Sequence, residues 1–304
     1  MTARTPELVV VAGPTAAGKS AFALQLAERC GGEIISADSR HIYRRMDIGT
    51  NKPTPAERTR VPHHLLDLRE PHESFSLGEY VALARAAIDE IIRHGRVPIL
   101  VGGTGQYVRA LLRNWQVPPV PPNPELRQRW QAFAASHGTT ALFEVLRIRD
   151  PTAAERIDPR NLRRVIRALE VIELTGQRWS DLQQAAPPAL PVRMFYICPS
   201  REALYARADA RIDHMLAQGW LDEVARLLDE FAARGIAGDA ALALPAMSAL
   251  GYRELAQAVT GQISLEEAVA RIRQATRRFI RMQDVWFRRD AQLFGAQIVP
   301  TLQG

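Results

Sequence analysis

The chain has 304 residues, 47% hydrophobic and 24% charged, the profile of a globular protein with one large domain or two modest ones, not of a disordered chain. No apolar run approaches the roughly 18 residues that a bilayer span needs, and Met1-Thr2-Ala3-Arg4 leads straight into apolar sequence, so a cytoplasmic protein without membrane attachment is expected. The net charge of +6 favours a polyanionic partner, nearly every basic residue is arginine, and the only lysines are Lys19 and Lys52.

Leu8-Val9-Val10-Val11-Ala12 is a short β-branched run, and Ala21 to Ala27 is helix-forming. Between them, Gly13-Pro14-Thr15-Ala16-Ala17-Gly18-Lys19-Ser20 fits the phosphate-cradling pattern G-x-x-x-x-G-K-[ST] in its required strand-loop-helix context. Glycines let backbone N–H groups close on phosphate oxygens, and the helix N-terminus adds partial positive charge. Lys19 supplies a mobile full charge, and the Ser20 hydroxyl can ligate Mg²⁺. A phosphorylated ligand follows from this, but its identity does not.

Glu33-Ile34-Ile35-Ser36-Ala37 predicts a second buried strand that delivers Asp38-Ser39-Arg40-His41 to its C-terminal end. In an open parallel sheet that edge binds ligands, so Asp38 should face the same crevice as the P-loop. The proline-rich stretch from Tyr43 to Leu66 predicts an active-site loop, ending in His63-His64, which lack the Cys or acidic neighbours of a metal site. Ser76 to Arg93 has helical period, and Val97-Pro98-Ile99-Leu100-Val101 predicts a third strand ending in Gly102-Gly103-Thr104. A nucleotide hydrolase carries an Asp or Glu there to hold Mg²⁺ or a water; this strand has neither.

Prolines between Trp115 and Pro124 mark a boundary, and Pro187-Pro188 and Pro191 a second one, with helical sequence between and the strand Val192 to Cys198 beyond. The expected division is a P-loop core over 1–115 and 191–304, with a helical insertion domain over 116–190. Arg160, Arg163, Arg164 and Arg167 recur at i, i+3, i+4 and i+7, sharing one helix face, while Asp158, Glu170 and Glu173 lie beyond the ends of the stripe. Contact with nucleic-acid phosphates is the expectation, and a solvated face the alternative. From Arg271 the last helix is strongly basic, and Trp286-Phe287 among arginines suits either base stacking or core packing. Cys30 and Cys198 are expected to be buried thiols.

Together these motifs resemble the bacterial tRNA dimethylallyltransferases. The resemblance rests on the P-loop, Ile35 to Tyr43, Met46-Asp47-Ile48-Gly49-Thr50-Asn51-Lys52-Pro53, Pro62 to Asp67, Val101 to Tyr107, Arg167 to Val171, Gly251-Tyr252-Arg253 and Trp286-Phe287-Arg288-Arg289. It implies a P-loop NTPase-like α/β fold and transfer of a dimethylallyl group from dimethylallyl diphosphate to N6 of adenosine 37 in tRNA. It implies Asp38 as general base, Thr15 and Arg211 as catalytic partners, and Gly13 to Ser20 as the diphosphate cradle with Mg²⁺ on Ser20. The tRNA anticodon stem-loop is then held by Asp38, Ser39, Arg40, His41, Thr104, Arg127, Arg163, Arg164, Arg167, Gly251, Tyr252 and Arg253 of a monomeric enzyme. The chain departs from the family pattern at His41, where Gln is common, and at Arg281-Met282-Gln283-Asp284, where Lys-Arg-Gln is common and Asp284 unexpected; altered tRNA affinity is the expected consequence. An ATP-dependent small-molecule kinase on the same P-loop is the alternative reading.

Overall fold

A computed structural model of the chain describes residues 6–115, 120, 122–182 and 188–300. Six parallel strands form one sheet: β1 (Leu8–Ala12), β2 (Gly32–Ser36), β3 (His63–His64), β4 (Val97–Gly102), β5 (Val192–Ile197) and β6 (Gln297–Val299). Their order is β3-β2-β4-β1-β5-β6. The central strand β1 is buried over its whole length, as its unbroken apolar run predicts for a sheet covered on both faces. Its neighbours are β4, with Val11 against Val101, and β5, with Val11 against Phe195. The chain leaves β1 to reach β2, two positions away, so a crevice opens at the C-terminal edge where the connections diverge. Residues between Ala12 and Lys19 and between Ser36 and Asn51 are thereby brought to one edge.

The chain divides into two compact units. The first comprises residues 1–75, 79–111 and 188–304; the second comprises Ser76–Gly78 and Leu112–Pro187, against the sequence expectation of 116–190. Of the two proline boundaries, residues 116–119, 121 and 183–187 lie outside the described residues.

In the first unit, the sheet packs on the helix Lys19–Cys30 and on the helix Arg201–Ala217 through Leu204 and Ala208. A second apolar cluster joins Ile42, Tyr43 and Met46 to Trp220, Phe231, Tyr252 and Ile272 from the C-terminal helices. The longest helix, Leu265–Leu293, starts at Ser264, whose side chain accepts from the Glu267 amide.

The second unit is all helical and has its own core of Leu126, Trp130, Leu142, Leu146, Val165 and Leu169. Its helix Leu162–Thr175 is capped by Asn161 and ends at Gly176 in the left-handed conformation that glycine adopts without strain. Asp150 is fully buried and satisfied by the Ala153 amide and by Ser180.

Candidate active site

The P-loop begins at a forced glycine: a Cβ on Gly13 would stand 2.4 Å from the Ile197 carbonyl oxygen, so β5 can approach only a residue without a side chain. Beyond it the loop curls back on itself, with the Lys19 ammonium donating to the Pro14 carbonyl at 2.7 Å. The Thr15 amide donates to the Gln283 side-chain oxygen at 2.8 Å, so one loop amide that the sequence assigns to phosphate is already engaged. Ser20 stands exposed at the start of the helix, with no protein partner for its hydroxyl among the described residues.

Arg211 reaches the loop from the helix Arg201–Ala217, donating to the Thr15 hydroxyl at 2.6 Å. Its Nε is buried without a hydrogen-bond partner. Burial lowers the pKa of Arg211, opposed by the carboxylate of Asp38. Burial, and then the Arg211 charge, push the Lys19 ammonium down to about 8, again against the pull of Asp38. Two cations crowded and partly dehydrated in this way gain from an anion far more than solvated ones do.

Asp38 follows β2 and is held by its own turn: its Oδ1 accepts from the Arg40 amide at 2.9 Å. The Ser39 amide donates to the Thr104 hydroxyl at 3.0 Å, tying this turn to the end of β4. His41 is fixed on both ring nitrogens, Nδ1 at 3.1 Å from the Ser36 hydroxyl and Nε2 at 3.1 Å from the Thr50 carbonyl. With the Nε2 proton on Thr50, Nδ1 accepts from Ser36, and the imidazole braces the turn.

A cavity of about 460 Å³ gathers these groups. Thr15, Lys19, Ser20, Asp38, Ser39, Arg40, His41, Thr104 and Arg211 line it, together with an apolar set, Met215, Trp220, Phe279, Met282 and Trp286. Phosphate-binding cations, a carboxylate and an apolar wall in one cavity suit a ligand with a charged head and a short hydrocarbon tail. A sequence model of IPP transferases matches residues 41–290. The chain belongs to that family.

Curated relatives of this IPP transferase include the tRNA dimethylallyltransferase of Roseiflexus sp. (strain RS-1), 50% identical over 93% of this chain and 90% of its own length. That of Thermomicrobium roseum is 47% identical over 96% and 86%. Among solved structures, the tRNA isopentenylpyrophosphate transferase of Bacillus halodurans is 38% identical, with a TM-score of 0.66 over 97% of this chain and 89% of that one. A eukaryotic dimethylallyltransferase acting on tRNA is 25% identical, with a TM-score of 0.82 over 97% and 74%. The transferase is therefore a prenyltransferase with a P-loop NTPase-like fold, not the small-molecule kinase of the alternative reading.

Several residues predicted to grip tRNA also make contacts within the protein. Tyr252 is fully buried, its hydroxyl on Glu223 at 2.6 Å and its ring edge-on to Trp220. A Cβ on Gly251 would stand 2.2 Å from the Trp220 ring, so this glycine is there for packing. Arg253 donates to the Leu242 carbonyl. Arg127 and Arg167 both clamp Glu170, which is fully buried and also takes the Asn123 amide. Glu170 therefore sits within the stripe and neutralises part of it, and Asp158 likewise turns back onto Arg160. Arg163 and Arg164 remain exposed and without a carboxylate partner among the described residues.

Lys52 is buried between Asp47, Asp67 and the Tyr43 carbonyl, as a structural ion pair. The Asp47-Ile48-Gly49 amides all donate to the buried Glu223 carboxylate, which explains that motif as a loop clamp. His63 bonds the Val61 carbonyl and His64 bonds Glu33. Cys30 and Cys198 are half-buried free thiols, more exposed than the sequence predicts. Phe287 is core, whereas Trp286 is 42% exposed beside the cavity, under the Arg109 guanidinium. Asp284 bonds the Tyr196 hydroxyl and Arg288 and is absent from the cavity wall. No described helix is long and apolar enough to cross a membrane.

Proposed function

We propose that the chain transfers the dimethylallyl group of dimethylallyl diphosphate to N6 of adenosine 37 in tRNA and releases diphosphate. The observation that carries this reading is the convergence of Lys19, Arg211 and Asp38 on one cavity with an apolar wall. In the reaction the C1–O bond to diphosphate breaks as the N6–C1 bond forms. Lys19 and Arg211 take the charge growing on the leaving oxygen, and the unpartnered Nε of Arg211 supplies a ready donor. The N6 proton, acidified as the new bond develops, passes to the Asp38 carboxylate, which the Arg40 amide holds in place. Thr15 couples the loop to Arg211.

The donor set at Ser20 fits Mg²⁺. An unclaimed hydroxyl lies beside the Lys19 position, and among the described residues no group of three His, Cys, Asp or Glu side chains forms a cage. A divalent ion held by one hydroxyl, diphosphate oxygens and water matches Mg²⁺, which keeps several waters and favours phosphate oxygens. Held by Ser20, such an ion would screen the diphosphate charge.

A base stacked in an anticodon loop cannot enter such a cavity, so the adenosine is flipped out, at a cost of about a few kcal/mol. Arg163 and Arg164 of the helical unit are the phosphate contacts we assign to the anticodon arm, and Ser39, Arg40, His41 and Thr104 lie where the base enters. The tRNA substrate supports work in the cytoplasm. Incubation with unmodified tRNA, Mg²⁺ and either dimethylallyl diphosphate labelled in its prenyl group or γ-labelled ATP tests the reading. Prenyl label should appear in tRNA. Phosphoryl transfer from ATP in its place, or no transfer with either donor, refutes it.

A further inference from the structure

The Leu265–Leu293 helix buries a polar residue every seventh position, Thr276, Gln283 and Asp290, in a stripe that otherwise holds Ile272, Ile280 and Phe287. Asp290 is explained by its bidentate pair with Arg109. Gln283 is 5% exposed, and a buried amide of this kind is retained only where its hydrogen bonds are met. Both are met at the active site. Its oxygen accepts from the Thr15 amide at 2.8 Å, and its nitrogen donates to the Gly103 carbonyl at 2.7 Å. One planar group thus spans the P-loop and the segment just after β4, linking residues 268 and 180 positions away.

We propose that Gln283 is a positioning residue for diphosphate departure, one that sets the P-loop through Thr15 and so fixes the Thr15–Arg211 contact. The inference rests on the transferase reading above. The Thr15 amide, taken by Gln283, is not a phosphate donor; the residue contributes its hydroxyl, which receives Arg211 at 2.6 Å. Holding the amide fixes the direction of that hydroxyl and hence of the guanidinium. Room at the site is tight: a Cβ on Gly103 would stand 2.6 Å from the Gln283 nitrogen and 3.9 Å from the Lys19 ammonium. The amide lies close to the cation that meets the diphosphate, so a neutral side chain with one acceptor and one donor is required. Glutamate offers the acceptor alone and brings a negative charge toward Lys19.

The test compares Gln283→Leu and Gln283→Glu, each in the native background and in a Thr15→Ala background, by steady-state prenylation of tRNA and by thermal melting. Gln283→Leu should lower kcat by about tenfold to a hundredfold, the scale of a misplaced catalytic group, with KM for tRNA unchanged. Gln283→Glu should in addition raise KM for dimethylallyl diphosphate. In the Thr15→Ala background, Gln283→Leu should cost less than threefold further, because the hydroxyl it directs is gone. Equal losses in both backgrounds, or a kcat within twofold of native in the single variant, overturn the proposal. A variant that melts early is judged on the same background comparison at a temperature where it is folded. If the native protein fails to prenylate tRNA, the transferase reading falls; if only the background comparison fails, the Gln283 role falls alone.

Discussion

Binding of dimethylallyl diphosphate should weaken as the pH rises through 8, because Lys19 is the group that loses its proton. Burial and the neighbouring Arg211 charge hold this ammonium at about 8, against 10.5 for a free lysine. A diphosphate beside it restores the ammonium, so binding above pH 8 requires uptake of one proton. The donor is already ionised there, since a phosphate's last ionisation lies near ~6. From a pKa of about 8, the charged fraction of Lys19 falls about tenfold between pH 7 and pH 9, and kcat/KM for the donor should fall with it. Lys19→Arg keeps its charge throughout, so its absolute activity drops but its profile above pH 8 flattens. Native kcat/KM that stays level to pH 9.5, or a Lys19→Arg profile that falls in parallel, refutes the assignment. Stability supplies an independent check. Between the folded value of about 8 and the unfolded 10.5 the unfolded chain binds more protons, so the native state gains stability with rising pH in that window. Lys19→Met should therefore be the more stable protein at pH 7, by at most about 3 kcal/mol, with the gap closing by pH 10.5.

Asp38→Ala should abolish prenylation while leaving tRNA affinity within a fewfold, read by filter binding; an active variant removes the base. Arg164→Ala should weaken tRNA binding and lower the slope of log K against log salt by about 0.7 to 0.9, the share of one phosphate contact, and an unchanged slope places that helix outside the interface. Glu170→Gln leaves Arg127 and Arg167 without their shared buried carboxylate and should destabilise the protein by about 3 kcal/mol in thermal or urea melts. Burial raises the Glu170 pKa, but the bonds from Arg127, Arg167 and the Asn123 amide outweigh it and leave the pKa lowered. Its stabilisation is hence present above the ordinary glutamate range and lost as pH falls through the folded value. Tyr252→Phe should cost about 1–3 kcal/mol by removing one hydrogen bond to the buried Glu223 carboxylate, which keeps the Asp47, Ile48 and Gly49 amides, and leave the tRNA salt slope untouched.

The parts of the site that one stretch of chain builds alone were legible in sequence. The P-loop needs its glycines and Lys19 at fixed spacing, and Asp38 follows a strand whose apolar run is unmistakable, so sequence alone puts both at the same sheet edge. Thr15 and Arg211 entered through resemblance, and the structure joins them by a hydrogen bond. Residues whose role depends on distant partners were not legible. Tyr252 and Gly251 sit in a motif with an aromatic and a guanidinium, but the pattern does not reveal that Trp220 fills the space beside them. Of the arginine stripe, Arg163, Arg164 and Arg167 lie on the helix Leu162–Thr175, whereas Arg160 precedes its Asn161 cap and pairs with Asp158; Arg167 is tied to Glu170, three positions on along the same helix and shared with Arg127 from another helix. Gln283 did leave a sequence signal, a polar residue at helical spacing among buried apolar ones, but only the fold says that the stripe runs under the P-loop.

The same contrast explains how a phosphate loop shared with hydrolases serves a prenyl donor. A hydrolase needs an acid after its third long strand to hold metal and water, and here β4 ends in Gly102-Gly103-Thr104 with no carboxylate. A Cβ on Gly102 would stand 2.2 Å from the Ala37 carbonyl, so β4 must end on a bare backbone to let the turn carrying Asp38 close over it. Thr104 then bonds Ser39, and the Gly103 carbonyl receives Gln283. The strand end that positions water in a hydrolase is thus rebuilt to hold Asp38 on one side and the P-loop on the other. An acid at Gly103 would stand where the Gln283 amide lies, so the hydrolase arrangement and the Gln283 brace exclude one another. With no carboxylate at that strand end, the carboxylate left facing the donor is Asp38, in keeping with the base role we propose for it.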